Sequence, residues 1–335
     1  MKISFLSIAD FANVLTEYSY CLNKHSDDIV SKSICIEKHP YNYTTPHDYD
    51  LSTYNKKDIE DSKKFLLESD YIIFSEEYAT QNLYTTIEKF SSIYHLNLFD
   101  IDAKFCIWHP GTCYRDSFRY YNIHPLRDKI FKHFYAIDLY RLSPKNNNDL
   151  PLLPYQYIKE FNFKNFIDTF KKKIDTLPWT ILHIPSKASI KGTSTFNSII
   201  SSLNLDPKLF KYKVLQNIPY SEVIKEKEKS LFYLDQINET CGGYGLASLE
   251  ALLLSNLTFS TINNSSDSLY KLTGKYETPV VPLTSNEEEL REILTQFIKN
   301  ISKESMIEYM QGVGMWIEDA YNPKNIVKQF KELIA

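Results

Sequence analysis

The sequence predicts an α/β protein built on parallel sheets and divided into two domains. Three observations predict it: short apolar strands alternate with helix-period segments from Ile3 onward, a strand, glycine turn, helix and strand follow one another between Leu231 and Ile262, and composition shifts sharply from Ser143 to Pro154. At 335 residues the chain is long for one core and comfortable for two. A net charge of -4 with both signs interspersed argues against a dedicated nucleic-acid partner. Five cysteines, odd in number and without a CxxC pair, suit a reducing compartment better than a disulfide framework or structural zinc. Met1-Lys2-Ile3-Ser4-Phe5-Leu6 enters an apolar strand directly, too short for a signal segment, and no apolar run approaches the length of a membrane span. A cytoplasmic location is the expectation.

From the start, Ile3 to Ile8 reads as the first strand and Phe11 to Leu22 as an amphipathic helix, with Asp10 and Asn13 in the connection. Asp10 has an ordinary reading as a helix cap. Ser33 to Glu37 is a second strand. The polar, tyrosine-rich stretch from His39 to Asn55 has no period, and a loop of that length usually has a job. Ile59 to Ser69 returns to helical spacing, Tyr71 to Phe74 is a strand and Tyr84 to Tyr94 a helix. Lys104 to His109 is an apolar strand ended by a Pro110-Gly111 turn, which sets an imidazole at the carboxyl edge of a parallel sheet, where such sheets bind ligands. A strand-end histidine bonded to a loop carbonyl is the competing reading. Arg119, Arg127, Lys129 and Lys132 form a local basic excess, either a solvated face or a contact for phosphate or a membrane surface. Asp100-Ile101-Asp102 has the letters of a metal-holding DxD but precedes its strand instead of ending one. No cluster has metal-ligand spacing.

Phe134 to Ile137 and Leu139-Tyr140 close the first domain, assigned to residues 1–150. Three consecutive asparagines between prolines then read as a linker. The second domain, 151–320, opens with the strand Trp179 to Ile184, followed by Pro185-Ser186-Lys187-Ala188-Ser189-Ile190-Lys191-Gly192-Thr193 and a helix at Phe196 to Leu203. A lysine before a glycine at a helix start adds a mobile ammonium to free backbone amides, an arrangement suited to a diphosphate. It is not a P-loop, because GxxxxGK[ST] is absent. Lys213 to Leu215 is a strand and Tyr220 to Lys229 a helix. Beyond the central unit come a short strand at Pro279 to Leu283, a helix begun by Asn286 and three glutamates, a helix from Lys303 to Tyr321, and a last one, in 321–335, after Asn322-Pro323.

In the central unit, Leu231 to Leu234 end at Asp235-Gln236, as in a buried parallel strand whose carboxyl edge faces a crevice. Of only eight glycines in the chain, Gly242, Gly243 and Gly245 fall within four positions, which points to unusual backbone angles or close approach to a ligand. Leu246, Leu249, Leu252 and Leu253 give the spacing of a helix packed on a sheet. Glu250 lies roughly 6 Å along that helix, at about 1.5 Å per residue. Amides and the positive helix end at the turn, with a carboxylate one turn deeper, suit a ligand that is anionic at one end and hydroxyl-rich at the other, such as a nucleotide sugar. An ordinary glycine turn with a solvated Glu250 is the plainer alternative.

Gly243-Tyr244-Gly245-Leu246 followed by Leu249-Glu250-Ala251-Leu252 resembles the C-terminal half of the E-x7-E signature of retaining glycosyltransferases with the GT-B fold, two Rossmann-like domains whose sheets face a central cleft. The resemblance covers most of residues 175–335, with weaker matches at Ile3 to Asn13 and Ile107 to Arg115. It implies that Glu250 holds the ribose of the donor and that the turn at Gly243, Tyr244, Gly245 and Leu246 approaches the sugar and phosphates. The family's first Glu falls on Gly242; Glu239, or Asp235 with Gln236, could supply the missing polar group. Ser186 to Gly192 resembles the Arg-x4-Lys-Gly element, with Lys191 on the family's Lys, Ser186 on its Arg and Lys187 one residue beyond. His109 to Arg115 resembles a His-Gly-Ser-x-x-Arg element, which makes His109 a donor-sugar contact and Arg115 a contact for an anionic acceptor. Asp10 and Asn13 fall where the family contacts its acceptor, Tyr220 near the nucleotide base, and the last helix is expected to pack back on the first domain.

The implied function is transfer of a sugar from a nucleoside diphosphate to a glycan or lipid-linked acceptor in bacterial surface polysaccharide synthesis, with retention, without metal or cofactor, and with a possible peripheral contact at the inner face of the membrane. His109, Lys191 and Glu250 are the expected catalytic residues. Gly242 at the first Glu raises a second reading, an inactive GT-B-shaped partner of another transferase; a nucleotide-sugar epimerase would share the fold. A serine hydrolase is excluded by the absence of GxSxG.

Overall fold

The computed structural model describes all residues other than 11–12, 40–42, 44, 76–83, 110–128, 136–147, 150–151, 238–243 and 263–278. The chain divides into two compact units, Met1–Gln156 with Pro323–Ala335, and Tyr157–Asn322.

In the N-terminal unit, β1 (Lys2–Ser7), α1 (Val14–His25), β2 (Val30–Cys35), β3 (Tyr49–Asp50), α2 (Lys56–Leu67), β4 (Tyr71–Ser75), α3 (Tyr84–Tyr94), β5 (Lys104–His109), β6 (Lys132–Tyr135) and β7 (Asn148–Asp149) alternate along the chain. The seven strands form one sheet in the order β3-β2-β1-β4-β5-β6-β7, and every pairing is parallel. Strands covered on both faces must be apolar throughout, which is why β4 and nearly all of β1 and β5 are buried residue after residue. Of the stretch expected as a linker, Asn148–Asp149 form the outer strand of the sheet, and 143–147 with 150–151 lie outside the described residues. The boundary between units falls later, after Gln156.

The polar loop after β2 is tied down by charge. Asp48 accepts from the Ser33 N–H at 2.8 Å and from Lys32 Nζ at 2.9 Å. The last helix, Pro323–Ile334, belongs to this unit: Phe330 packs against Phe5, Tyr18 and Phe134, and the Tyr71 hydroxyl donates to Ile334 O at 2.9 Å.

The C-terminal unit runs α4 (Phe163–Asp175), β8 (Trp179–His183), α5 (Ala188–Lys191), α6 (Thr193–Ser202), β9 (Phe210–Val214), α7 (Tyr220–Lys229), β10 (Phe232–Gln236), α8 (Leu246–Leu253), β11 (Leu257–Thr261), β12 (Val281–Leu283), α9 (Glu287–Leu294) and α10 (Lys303–Ala320); the helix at Pro323–Ile334 is α11. The sheet order is β12-β11-β10-β8-β9, again all parallel. Chain order reverses between β8 and β10, so their connections leave on opposite sides and open a crevice at the carboxyl edge.

Helix α4 carries an unusual core residue. Its buried stripe is Phe166, Ile167, Phe170, Lys173 and Ile174, a helical spacing with a lysine inside it. Lys173 Nζ donates to Leu254 O at 2.6 Å and Lys227 O at 3.1 Å, carbonyls at the ends of α8 and α7. It thus serves orphan acceptors of two helix C-termini at once. Burial pushes its pKa down to about 7, with Glu228 opposing. The unfolded chain then binds more protons than the folded one between about pH 7 and 10.5. In denaturant titrations the stability of the native chain relative to Lys173→Met should therefore rise across that interval, by on the order of 1–3 kcal/mol.

Candidate functional site

The crevice between β8 and β10 is organised by an irregularity. Leu234 pairs with Phe259 of β11 and Gln236 with Ser260, so Asp235 is an extra residue in β10. Neighbouring side chains on a regular strand point to opposite faces. The bulge lets two neighbours reach one cation: Lys191 Nζ donates to Asp235 Oδ1 and to Gln236 Oε1, each at 2.8 Å. Asp235 Oδ2 accepts from the Ser248 hydroxyl of α8 at 2.6 Å. Burial alone would raise the Asp235 pKa, but the Lys191 charge and hydrogen bond, the Ser248 hydroxyl and the Lys227 charge hold it below the ordinary carboxylate range. Both Asp235 oxygens are thus engaged inside the protein, and the group that faces outward is Lys191, whose side chain is 17 % exposed against 2 % for Asp235. An ammonium has three donors, and two are used here.

Two helix starts flank this lysine. Gly192 begins α6 and Gly245 begins α8, and neither supplies a capping side chain. α1, α5 and α7 likewise lack a capping side chain at the N-cap position, whereas α2, α4, α9 and α10 are capped by Asn55, Asn162, Asn286 and Ser302. The first N–H groups of α6 and α8 therefore have no side-chain acceptor from the cap position. Gly192 is required twice over: its φ is 75°, and an added Cβ would lie 2.2 Å from Ile237 Cγ1. At Gly245 an added Cβ would meet none of the described residues within 4 Å. Ser186 and Lys187 are exposed on the loop before α5. Leu246 is half-buried, and the Tyr244 ring is buried with its hydroxyl unpaired among the described residues. Gly243, like Gly242 and Glu239, lies outside the described residues. His183, at the end of β8, places its Nδ1 2.8 Å from Leu234 O, which makes that nitrogen the donor, so Nε2 accepts from the Thr193 hydroxyl of α6 at 2.8 Å. It ties the start of α6 to β10.

Glu250, on α8, is 4 % exposed. Its Oε1 accepts from the Tyr220 hydroxyl at 2.6 Å and its Oε2 from Lys227 Nζ at 2.7 Å. Burial and the adjacent carboxylate drive the Tyr220 pKa upward, so the phenol is the donor. Tyr220 is thus buried against Glu250, with Tyr157 OH 3.0 Å away, and is not an exposed ring. Lys227 was not among the expected residues, yet the signal is in α7: Tyr220, Val223, Ile224 and Lys227 occupy one helical face, with the lysine at the last core position. Asp235 links the two halves, because it bonds to Lys191 and, through Ser248, to the helix that carries Glu250.

In the N-terminal unit, Asp10 and Asn13 act locally. Asp10 Oδ1 accepts from Leu15 N at 3.1 Å, and Oδ2 from Thr16 N at 2.8 Å and the Thr16 hydroxyl at 2.7 Å, so the carboxylate caps α1 from outside. Burial raises its pKa, opposed by His47 and these hydrogen bonds. Asn13 adopts the left-handed conformation at φ 60° and donates to Thr45 O at 2.9 Å. His109, fully buried at the end of β5, lies with Nε2 2.9 Å from His133 Nδ1, the two ring planes 5° apart, and Tyr135 beside it. Burial pushes its pKa down to about 3, so it is neutral at physiological pH. Arg115 lies outside the described residues, as do Arg119 and Arg127. No grouping of three or more His, Cys, Asp or Glu among the described residues is arranged to hold a metal, and no described helix is long and apolar enough to cross a membrane.

The two parallel-sheet units have the GT-B fold. An alpha-glucosyltransferase in complex with UDP and a 13-mer DNA containing a HMU base is similar over 100 % of this chain and 99 % of its own, with a TM-score of 0.61 at 11 % identity. HepE of Anabaena is similar over the same shares, with a TM-score of 0.57 at 8 % identity in its complex with UDP and glucose, and 0.56 at 10 % identity with UDP-glucose. No protein-family model and no curated sequence matches the chain.

Two stability changes follow from the site. Gly192→Ala should destabilise the protein by about 1–3 kcal/mol, from overpacking against Ile237 added to left-handed strain, read from chemical denaturation. Lys227→Met leaves Glu250 as a buried charge without its counterion and should cost about 3–5 kcal/mol in the same measurement.

Proposed function

We propose that this protein is a glycosyltransferase that takes a sugar from a nucleoside diphosphate donor bound at the carboxyl edge of β8 and β10. The observation that carries the reading is Lys191, aimed out of the bulged end of β10 between two helix starts that have only glycine at the cap. Anions are favoured at such starts, and the remaining donor of Lys191, whose charge is shared with Asp235, adds a charge-assisted hydrogen bond. The presence of UDP or UDP-glucose in the similar alpha-glucosyltransferase and HepE structures supports the same assignment.

In this reading the diphosphate lies on the first N–H groups of α6 and α8, held by Lys191, Gly192, Gly243, Gly245 and Leu246, with Ser186 and Lys187 on the loop above. Glu250, two of whose roughly four acceptor positions are used inside the protein, offers the rest to ribose hydroxyls. As the bond to the sugar breaks, negative charge grows on the departing diphosphate. Fixed amides and an ammonium already in place stabilise it without reorganisation. Tyr220, buried against Glu250, orients that carboxylate in place of stacking on the base. The N-terminal domain carries the acceptor, a glycan or lipid-linked sugar of bacterial surface polysaccharide, with Asp10 and Asn13 shaping the loop after β1. Transfer with retention is part of the proposal.

Lys191→Ala should lower sugar transfer or donor hydrolysis by about 10²–10³-fold, comparable to loss of an oxyanion-hole donor. Unchanged turnover would contradict the assignment. UDP at 100 times its dissociation constant should stabilise the native chain by about 2.7 kcal/mol, seen as a raised melting temperature. Gly242 at the family's first Glu favours a second reading, a nucleotide-binding partner without transferase activity. That protein would still show the UDP stabilisation but neither transfer nor hydrolysis.

A further inference from the structure

The C-terminal domain buries two lysines close to carboxylates, and counting donors separates their roles. Lys191 has two acceptors, Asp235 and Gln236, and keeps some exposure. Lys227 is 1 % exposed: it donates to Glu250 Oε2 at 2.7 Å and Ala247 O at 3.0 Å, and its ammonium sits 4.9 Å from the centroid of the Tyr233 ring. Two hydrogen bonds and one aromatic face account for all three donors. Lys227 therefore has nothing to offer a ligand.

Glu250 is in the opposite position. An ionised carboxylate is acceptor-only, with about four positions over its two oxygens. Tyr220 fills one on Oε1 and Lys227 one on Oε2. The two donors come from residues seven apart on α7, so one rigid helix grips the carboxylate at both oxygens. A buried charge with half of its acceptor capacity unfilled is costly unless donors reach it.

The geometry points to Tyr220 and Lys227 as positioning residues that hold Glu250 charged and oriented to accept two sugar hydroxyls, which makes the site selective for ribonucleoside over dideoxynucleoside diphosphates. The inference rests on the donor site proposed above and adds residues that do not touch the ligand. Two O–H donors side by side, as on a vicinal diol, match two fixed oxygens. A ligand without them leaves the carboxylate under-satisfied.

The test is equilibrium binding of UDP and 2′,3′-dideoxy-UDP, by calorimetry, to the native chain and to Tyr220→Phe, Lys227→Arg and Glu250→Gln, each checked for its melting temperature. The native chain should prefer UDP by about tenfold or more. Tyr220→Phe, which removes one hydroxyl and keeps the ring, should cut that ratio by weakening UDP while leaving the dideoxy affinity unchanged. Glu250→Gln should nearly abolish the preference. Lys227→Arg, which keeps the charge but not the geometry, should lower the ratio too. A loss of fold alone would weaken both ligands together. The native ratio retained in a folded Tyr220→Phe chain overturns the inference, as does equal native affinity for the two nucleotides with the diphosphate site left standing. Failure of the native chain to bind either nucleotide overturns the donor site itself.

Discussion

The C-terminal domain depends on one shared cation. Lys191 bonds to two consecutive residues of β10 that a regular strand would send to opposite faces, and the extra residue in the β10–β11 register is what brings them together. The ammonium, in turn, makes Asp235 tolerable in a fully covered position, and the second Asp235 oxygen anchors α8 through Ser248. One ion pair thereby fixes the end of a strand, the turn before α6 and the depth of α8.

The same logic recurs one turn deeper. Glu250 and Lys227 are both covered: the three donors of Lys227 are all engaged, and Glu250 is gripped at each oxygen by one donor. Buried pairs of this kind seldom add net stability over apolar packing, because desolvation opposes the Coulomb gain. Their value here is geometric. They leave one lysine with a donor to spare and one carboxylate with acceptors to spare, both on rigid elements beside helix starts that lack side-chain caps.

The N-terminal domain uses its buried acids for the chain itself. Asp10 serves the first turn of α1, Asp48 pins the loop after β2, and Glu17, in that same first turn, bonds to the Thr45 hydroxyl and to the Gln156 N–H at 2.7 Å. These carboxylates hold connections in place where the sheet alone would not. His109 stands apart, neutral by burial and paired with His133 at the carboxyl edge of β5 and β6.

The sequence alone determined the class of fold, because periodicity and glycine placement are local properties: strands buried on both faces must be apolar without interruption, and a helix on a sheet must repeat its leucines every three or four residues. It also placed Gly192 and Gly245 just ahead of helices that follow sheet strands. Tertiary structure alone decided what each charged side chain faces. Asp10 read as a helix cap or an acceptor contact and Glu250 as a ribose ligand or a solvated acid; their donors, Thr16 in one case and Tyr220 with Lys227 in the other, came into contact only through folding. Lys173 and Lys227 sat on the core stripes of α4 and α7, a legible anomaly whose meaning required the partner carbonyls and carboxylate from other elements. The edge strand at Asn148–Asp149 looked like a linker because its composition is a loop's and only the backbone pairing with β6 makes it a strand. Propensity and period are written along the chain, whereas the partner of a charge is set by residues dozens of positions away.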